Sequence, residues 1–264
     1  MRNQSEPPKQ YDDTQTECVF GRNAVLEALK SGRPADTLFV ARKTTATPVE
    51  SGALGAILAL ARERGVVIKE ADRHKLEQLS DGGNHQSVAL LAAAHAYAEL
   101  DDLFALAESR GEAPFFLICD EIEDPHNLGA MLRTAEAAGA HGVIVPRRRS
   151  APLSQAVAKA SAGAVEYIPV ARVPNLCAAM EELKERGLWI FGADMGGEAY
   201  DAKPLTGAIA LVIGSEGKGL GRLVREHCDG LLALPMQGQI ASLNASVAAG
   251  ILLYEVVRSR KPCV

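Results

Sequence analysis

Hydrophobic positions along the chain follow two spacings, and the switches between them mark where elements begin and end. From Cys18, CVF is a short apolar entry, after which Val25, Leu26 and Leu29 recur on a helical stripe until Gly-Arg-Pro interrupts it. TLFVA reads as a strand, GALGAILALARERG as a helix, VVIKEA as a strand and DRHKLEQLS as a helical piece; beyond the turn signal DGGN, HQSVALLAAA reads as a strand. Farther on, FFLICDE, GVIVP, LWIFGA, AIALVIG and GLLALP are short unbroken apolar runs, the kind buried on both faces of a parallel sheet. Among them lie NLGAMLRTAEAAGA, APLSQAVAKASAG, PNLCAAMEELKERG and LNASVAAGILLYEVVRSR, all with helical spacing. The pattern predicts a βαβ-rich α/β domain preceded by a small mixed one.

Polar stretches set the boundaries. Residues 1–17 have no apolar period and read as a flexible tail; 97–113 is acidic, partly helical in pattern, and closes with Gly111 ahead of Pro114, which reads as a linker. The domains are therefore expected at 18–96 and 114–264. Of 264 residues, 47% are hydrophobic and 23% charged, ordinary for a globular chain and unlike a disordered or fibrous one. No apolar run is long enough to span a bilayer and the start lacks the apolar middle of a signal peptide, so a cytoplasmic protein without a membrane partner is expected. The formal charge of −5 argues against a protein that coats nucleic acid electrostatically, without excluding RNA as a substrate. Five isolated cysteines suggest neither a disulfide framework nor a zinc site, and no clustered ligand set implies another metal.

The usual nucleotide fingerprints are missing. GSEGKGLG at 214–221 matches neither G-x-G-x-x-G nor G-x-x-x-x-G-K-[ST], and no G-x-S-x-G elbow is present. Three segments are instead polar or glycine-rich where strand should pass to helix: EDPHNLGAMLRTAEAAGA, LVIGSEGKGL and ALPMQGQIASLNASVAAG. Each has a plain structural reading. Asn127 would cap a helix with Leu128, Leu132 and Ala135 on the core and Arg133 on the wet side; 214–217 would be a turn; Ser242 or Asn244 would cap a helix with Val247, Ala248, Ile251 and Val256 on its apolar side.

Taken together and in this order, the three segments resemble the signature motifs of the SpoU (TrmH) branch of SPOUT RNA methyltransferases. FGRNAVLEAL with the later HQSVALL is similar to that family's small L30-like RNA-binding domain, and the pairing is most like the subgroup that methylates a guanosine in 23S large-subunit ribosomal RNA. The resemblance implies a trefoil-knotted α/β domain, a homodimer, ribosomal RNA as partner, and S-adenosylmethionine as methyl donor with S-adenosylhomocysteine as product. It maps Arg133, Asn127, Glu216, Ser242 and Asn244 onto catalytic positions, and Gly192, Ile213, Gly214, Gly217, Leu234, Met236 and Leu243 onto the cofactor pocket. Arg22, Asn23, His85, Gln86, Arg147, Arg148 and Arg149 become candidate RNA contacts; where the family has HQG, this chain has His85, Gln86, Ser87.

The reaction asks for help with a proton, because a ribose hydroxyl is a weak acid and a poor nucleophile. The family proposal makes the arginine the general base, although a guanidinium keeps its proton above about pH 12. Two versions stay open: Arg133 is made acidic enough to accept a proton, or it stays charged, grips phosphate and stabilises the alkoxide while another group takes the proton. An ion pair with Glu216 would favour the second. A transfer-RNA methyltransferase of the same branch and a non-catalytic RNA-binding SPOUT protein are the competing readings.

Overall fold

The computed structural model describes residues 16–42, 52–240 and 242–260, so the tail expected at 1–17 lies outside them except for its last two residues. Those two open a strand. The chain divides into two compact units, Met1–Ala94 and His95–Val264.

In the first unit the order is β1 (Thr16–Phe20), α1 (Arg22–Lys30), β2 (Ala35–Ala41), α2 (Ala53–Glu63), β3 (Val67–Ala71), α3 (Arg73–Leu79) and β4 (Val88–Ala93). The sheet runs β1-β4-β2-β3, with β4 antiparallel to both neighbours and β2 parallel to β3. The stripe of Val25 and Leu29 on α1 and Ile57 on α2 meets Leu38 and Leu90 in one core, while Leu76 of α3 joins Ala71 and Ala89 in a separate cluster. Asp72 caps α3 by accepting from Lys75 N at 2.8 Å.

The second unit holds α4 (Leu100–Arg110), β5 (Phe115–Cys119), α5 (Pro125–Ala137), β6 (Gly142–Pro146), α6 (Gln155–Ala160), β7 (Val170–Val173), α7 (Leu176–Glu185), β8 (Trp189–Ala199), β9 (Ile209–Ile213), α8 (Arg222–Glu226), β10 (Gly230–Ala233) and α9 (Ala245–Arg260). Six strands form a parallel sheet in the order β10-β8-β9-β5-β6-β7. Period-two alternation explains why its strands are apolar throughout. Phe115, Leu117 and Cys119 pack on the face covered by α5 and α9, and Phe116 and Ile118 on the face covered by α4 and α7. Each such fully buried side chain contributes roughly 1.5–3 kcal/mol.

Three readings change. The expected linker carries α4, whose Leu103 is fully buried in the core of the second unit. The strand β7 was not foreseen, because Arg172 interrupts its apolar run; it is an edge strand, and that guanidinium stacks on Tyr97 at 4.9 Å. APLSQAVAKASAG forms only the short α6 before a left-handed turn at Ala162 and Gly163.

Candidate active site

The site forms where β5, β9 and β10 end, on the side where parallel strands hand the chain to loops. Motif one begins with Asp124, which caps α5 by accepting from His126 N at 3.0 Å, with Pro125 at the first helical position. The cap is therefore Asp124 and not Asn127. Asn127 lies in the first turn and is buried, which turns its amide inward. Leu128, Leu132 and Ala135 are fully buried, as the helical stripe requires.

Motif two leaves β9 as a loop held at both ends by one residue. Asp120 N donates to Ile213 O at 2.8 Å, and Asp120 Oδ2 accepts from Gly221 N at 2.7 Å. Burial pushes the Asp120 carboxyl above its usual range, against the opposing pull of the Gly221 amide. Inside the loop, Ser215 and Gly219 exchange backbone hydrogen bonds of 3.1 and 2.9 Å. Gly214 is required by packing, since a Cβ there would overlap the backbone of Gly219.

Motif three supplies the cap of α9. Asn244 Oδ1 accepts from Ser246 N at 2.9 Å and from Val247 N at 3.2 Å, which leaves its amide nitrogen free to turn toward the other motifs. Val247 and Ile251 do not lie on the buried side as expected; they are 50% and 37% exposed, because this helix is apolar on more than one face and buries Ala249, Leu252, Leu253 and Val256.

The three motifs meet in one hydrogen-bond network. Asn127 Nδ2 donates to Glu216 Oε1 at 3.1 Å, Asn244 Nδ2 donates to Asn127 Oδ1 at 2.9 Å, and Asn244 Nδ2 also donates to Glu216 Oε1. Beside it opens a cavity of about 390 Å³, within the range of small-molecule sites. Ile213, Gly214, Gly217, Leu234, Met236, Leu243 and Ser242 line it. Gly192 does not. A Cβ there would run into Leu220 and Cys228, neither of which lines the cavity.

The cavity wall that sequence reasoning missed follows directly after Gly192. The pairing of β10 jumps from Leu231↔Gly192 to Leu232↔Glu198, so residues 193–197 leave the ladder as a bulge, and Ala193, Asp194 and Met195 face the cavity. Arg225 fixes Asp194 at 3.0 Å. The signal was Gly196-Gly197 following the apolar run of the strand.

Arg133 is the exception among the motif residues. It is exposed, lines neither this cavity nor its neighbour, and forms no ion pair with Glu216, whose Oε1 is occupied by amides. Helix geometry explains this, since six residues past Asn127 carry a side chain about 9 Å along the axis and roughly 240° around it. The arginine run is also divided in role. Arg149 is paired with Glu121, while Arg147 and Arg148 extend into solvent. In the first unit, Arg22 N donates to Gln86 Oε1 at 2.9 Å and Arg22 Nε to Gln86 O at 3.2 Å, so these two candidates lie together; His85 Nδ1 accepts from Ser87 N at 3.0 Å, and Asn23 is exposed beside Arg22.

A model of the SpoU rRNA Methylase family matches residues 114–254, and one for RNA 2′-O ribose methyltransferase substrate binding matches residues 18–98. The chain belongs to the SpoU family. Its activity is accordingly S-adenosylmethionine-dependent methylation of a ribose 2′-oxygen in RNA. This SpoU protein is 52% identical over 250 residues to YacO of Bacillus subtilis (strain 168), named as a TrmH family tRNA/rRNA methyltransferase, covering 94% of this chain and 98% of that one. Among solved structures it resembles an AdoMet-bound rRNA methyltransferase from Sinorhizobium meliloti, with TM-score 0.76, 25% identity, and coverage of 95% and 90%. The TrmH/SpoU tRNA modifying enzyme of A. aeolicus matches with TM-score 0.52 and 26% identity, over 61% of this chain and 83% of that one. The residues of the SpoU cavity suit the methyl donor: Gly217 leaves open space where a Cβ would stand, Leu232, Leu234, Met236 and Leu243 give apolar walls, and Asp194 and Ser242 offer polar groups. No helix among the described residues is long and apolar enough to cross a membrane.

Proposed function

We propose that this protein methylates the 2′-hydroxyl of a guanosine in 23S large-subunit ribosomal RNA, acting in the cytoplasm as a homodimer. The observation that carries the reading is the Asn127–Glu216–Asn244 network at the mouth of a glycine-walled cavity. Ribosomal rather than transfer RNA is favoured by the first unit: likeness to the named rRNA methyltransferase runs over 95% of this chain, and likeness to the named tRNA enzyme over 61%. In this reading Ile213, Gly214, Gly217, Leu234, Met236 and Leu243 hold the methyl donor, with Ser242 and Asn244 toward the reacting centre. Arg22, Asn23, His85, Gln86, Arg147 and Arg148 meet RNA, while Arg149 braces the loop through Glu121. An apolar pocket disfavours the sulfonium charge that transfer removes, and alignment of donor and hydroxyl contributes several kcal/mol more.

Arg133 serves the cavity of a second copy. It is exposed on α5, which packs against α9, and α9 presents Val247, Ile251 and Tyr254 to solvent at 50%, 37% and 51%. This apolar surface suits a self-complementary interface. Staying charged, Arg133 grips the phosphate beside the target ribose. Mapping 2′-O-methyl marks on ribosomal RNA from cells with and without this protein tests the substrate; loss of one guanosine mark is expected, and an unchanged map with a lost tRNA mark rejects it. Co-refolding R133A with N244A tests the shared site. About one quarter of wild-type activity should return, since half the dimers are mixed and each has one intact site; no recovery rejects it.

A further inference from the structure

Glu216 holds its two amide partners through a single oxygen. Asn127 and Asn244 both donate to Oε1, and Oε2 has no hydrogen-bond or ion-pair partner among the described residues. The side chain also stands between two spaces. It lines the donor cavity and a second cavity of about 300 Å³ bounded by Ile122, Asp124 and Asn127. Glu216 and Lys218 are the two ionisable residues common to both linings, and a lysine ammonium has no lone pair to accept a proton. Arg133 does not line either cavity of its own copy, and a guanidinium brought there by a second copy is held protonated far above neutrality.

Resting on the methyltransferase reading above, we propose that Glu216 Oε2 is the atom that takes the proton of the ribose 2′-hydroxyl. When bound, S-adenosylmethionine supplies a methyl group whose bond to oxygen forms as its bond to sulfur breaks, with the electron pair of that bond staying on sulfur. The hydroxyl O–H bond breaks in the same step, its proton passes to Oε2, and water then removes it from the carboxyl. A carboxylate is basic enough because a hydroxyl oxygen gaining a methyl group becomes a strong acid; the proton leaves late, when little driving force is needed. Asn127 and Asn244 fix Oε1 and so aim Oε2, which makes them positioning residues for this step.

E216Q separates the proton role from the scaffold, because glutamine keeps an oxygen for both amides and replaces only the accepting atom. The single-turnover rate of E216Q should fall about 10²–10⁴-fold, while its affinities for S-adenosylhomocysteine and for RNA, measured by calorimetry, stay within about threefold of wild type. The acid-side loss of rate in wild type should be absent from the residual activity of E216Q. Other groups face this region: Lys218 on the same loop, Glu121, Glu123 and Asp124 around the second cavity, and Asp194 across the first. An acid limb that persists in E216Q belongs to one of them and overturns the proposal. So does an E216Q rate within threefold of wild type, or a parallel loss of S-adenosylhomocysteine affinity, which would make the side chain a scaffold only. Failure of the wild type to bind S-adenosylmethionine or methylate any RNA would instead remove the methyltransferase reading itself.

Discussion

The two ends of the parallel sheet are both rich in polar contacts, and they use them differently. At the amino ends, His141 is fully buried, accepts from Phe115 N at 3.1 Å and places Nε2 2.9 Å from Glu112. Arg260 donates through Nη1 and Nη2 to the carbonyls of Ala113, Pro114 and Gly207, with Nε alone unpartnered. These bonds tie chain to chain and are nearly used up. At the carboxyl ends the network joins three motifs yet leaves Glu216 Oε2 without a partner among the described residues. Backbone strain divides the same way. Gly139 and Gly207 take left-handed turns on the amino side, where Ala162 is the one non-glycine to do so, whereas Glu121 and Arg149 take them beside the site at φ 56° and 57°. Spare bonding capacity marks the working end, and two of the three left-handed non-glycine residues described in the second unit lie beside it.

The widest separation should come from one substitution at each end. N244S keeps a capping residue for α9 but removes the amide that reaches Asn127 and Glu216, so turnover should fall about 10²–10³-fold with stability changed by less than about 1 kcal/mol. R260M strips the Ala113 and Gly207 carbonyls of their side-chain donor and the Pro114 carbonyl of one of its two, and should cost roughly 1–3 kcal/mol of stability while leaving turnover alone. Urea unfolding and single-turnover rates on both variants read this directly; if N244S loses as much stability as R260M, the division between the ends is wrong.

Within the working end, two glycines of one loop should diverge. At Gly214 a Cβ would overlap the Gly219 backbone, while at Gly217 it would meet nothing within 4 Å. G214A should lose about 1–3 kcal/mol by overpacking together with calorimetric binding of S-adenosylhomocysteine, and G217A should keep its stability. Equal effects would show that the loop is soft and the cavity not built by it.

Acid should reach the amino end through His141. Burial is the main reason its ring is pushed below the ordinary imidazole range, with Glu112 opposing. The native state therefore favours the neutral ring. Its contribution is complete above the unfolded value of 6.5 and is lost as pH falls through the lower folded value. Urea midpoints compared at about pH 7.5 and about pH 5 should drop more for wild type than for H141Q, which has no ring to protonate. A parallel drop in both would place the acid sensitivity elsewhere.

Much of this was legible in the chain. Unbroken apolar runs identified five of the six parallel strands, and three motif segments pointed to Asn127, Glu216 and Asn244, which the fold brings together across up to 117 positions. What was not legible depended on distant partners. The β7 edge strand hides an arginine that stacks on Tyr97, and the bulge at 193–197 exists only through its register with β10. Whether Arg133 pairs with Glu216 was open in the sequence, because the direction of its side chain is set by helix rotation and not by the motif spacing.

The smallest effect tests whether strain marks working turns in the first unit too. Gln86 and Ser87 are consecutive left-handed residues at φ 50° and 73°, beside the bonds that hold Arg22. A non-glycine residue there costs of order 1–3 kcal/mol, and glycine returns roughly 0.5–1 kcal/mol of that as extra entropy in the unfolded chain. S87G should therefore stabilise the protein by up to about 2 kcal/mol in urea unfolding. RNA affinity should hold or weaken, because a freer turn aims Arg22 and Gln86 less well. A destabilised S87G would mean that serine is at ease in this geometry, and strain would then lose its value as a marker at Glu121 and Arg149 as well.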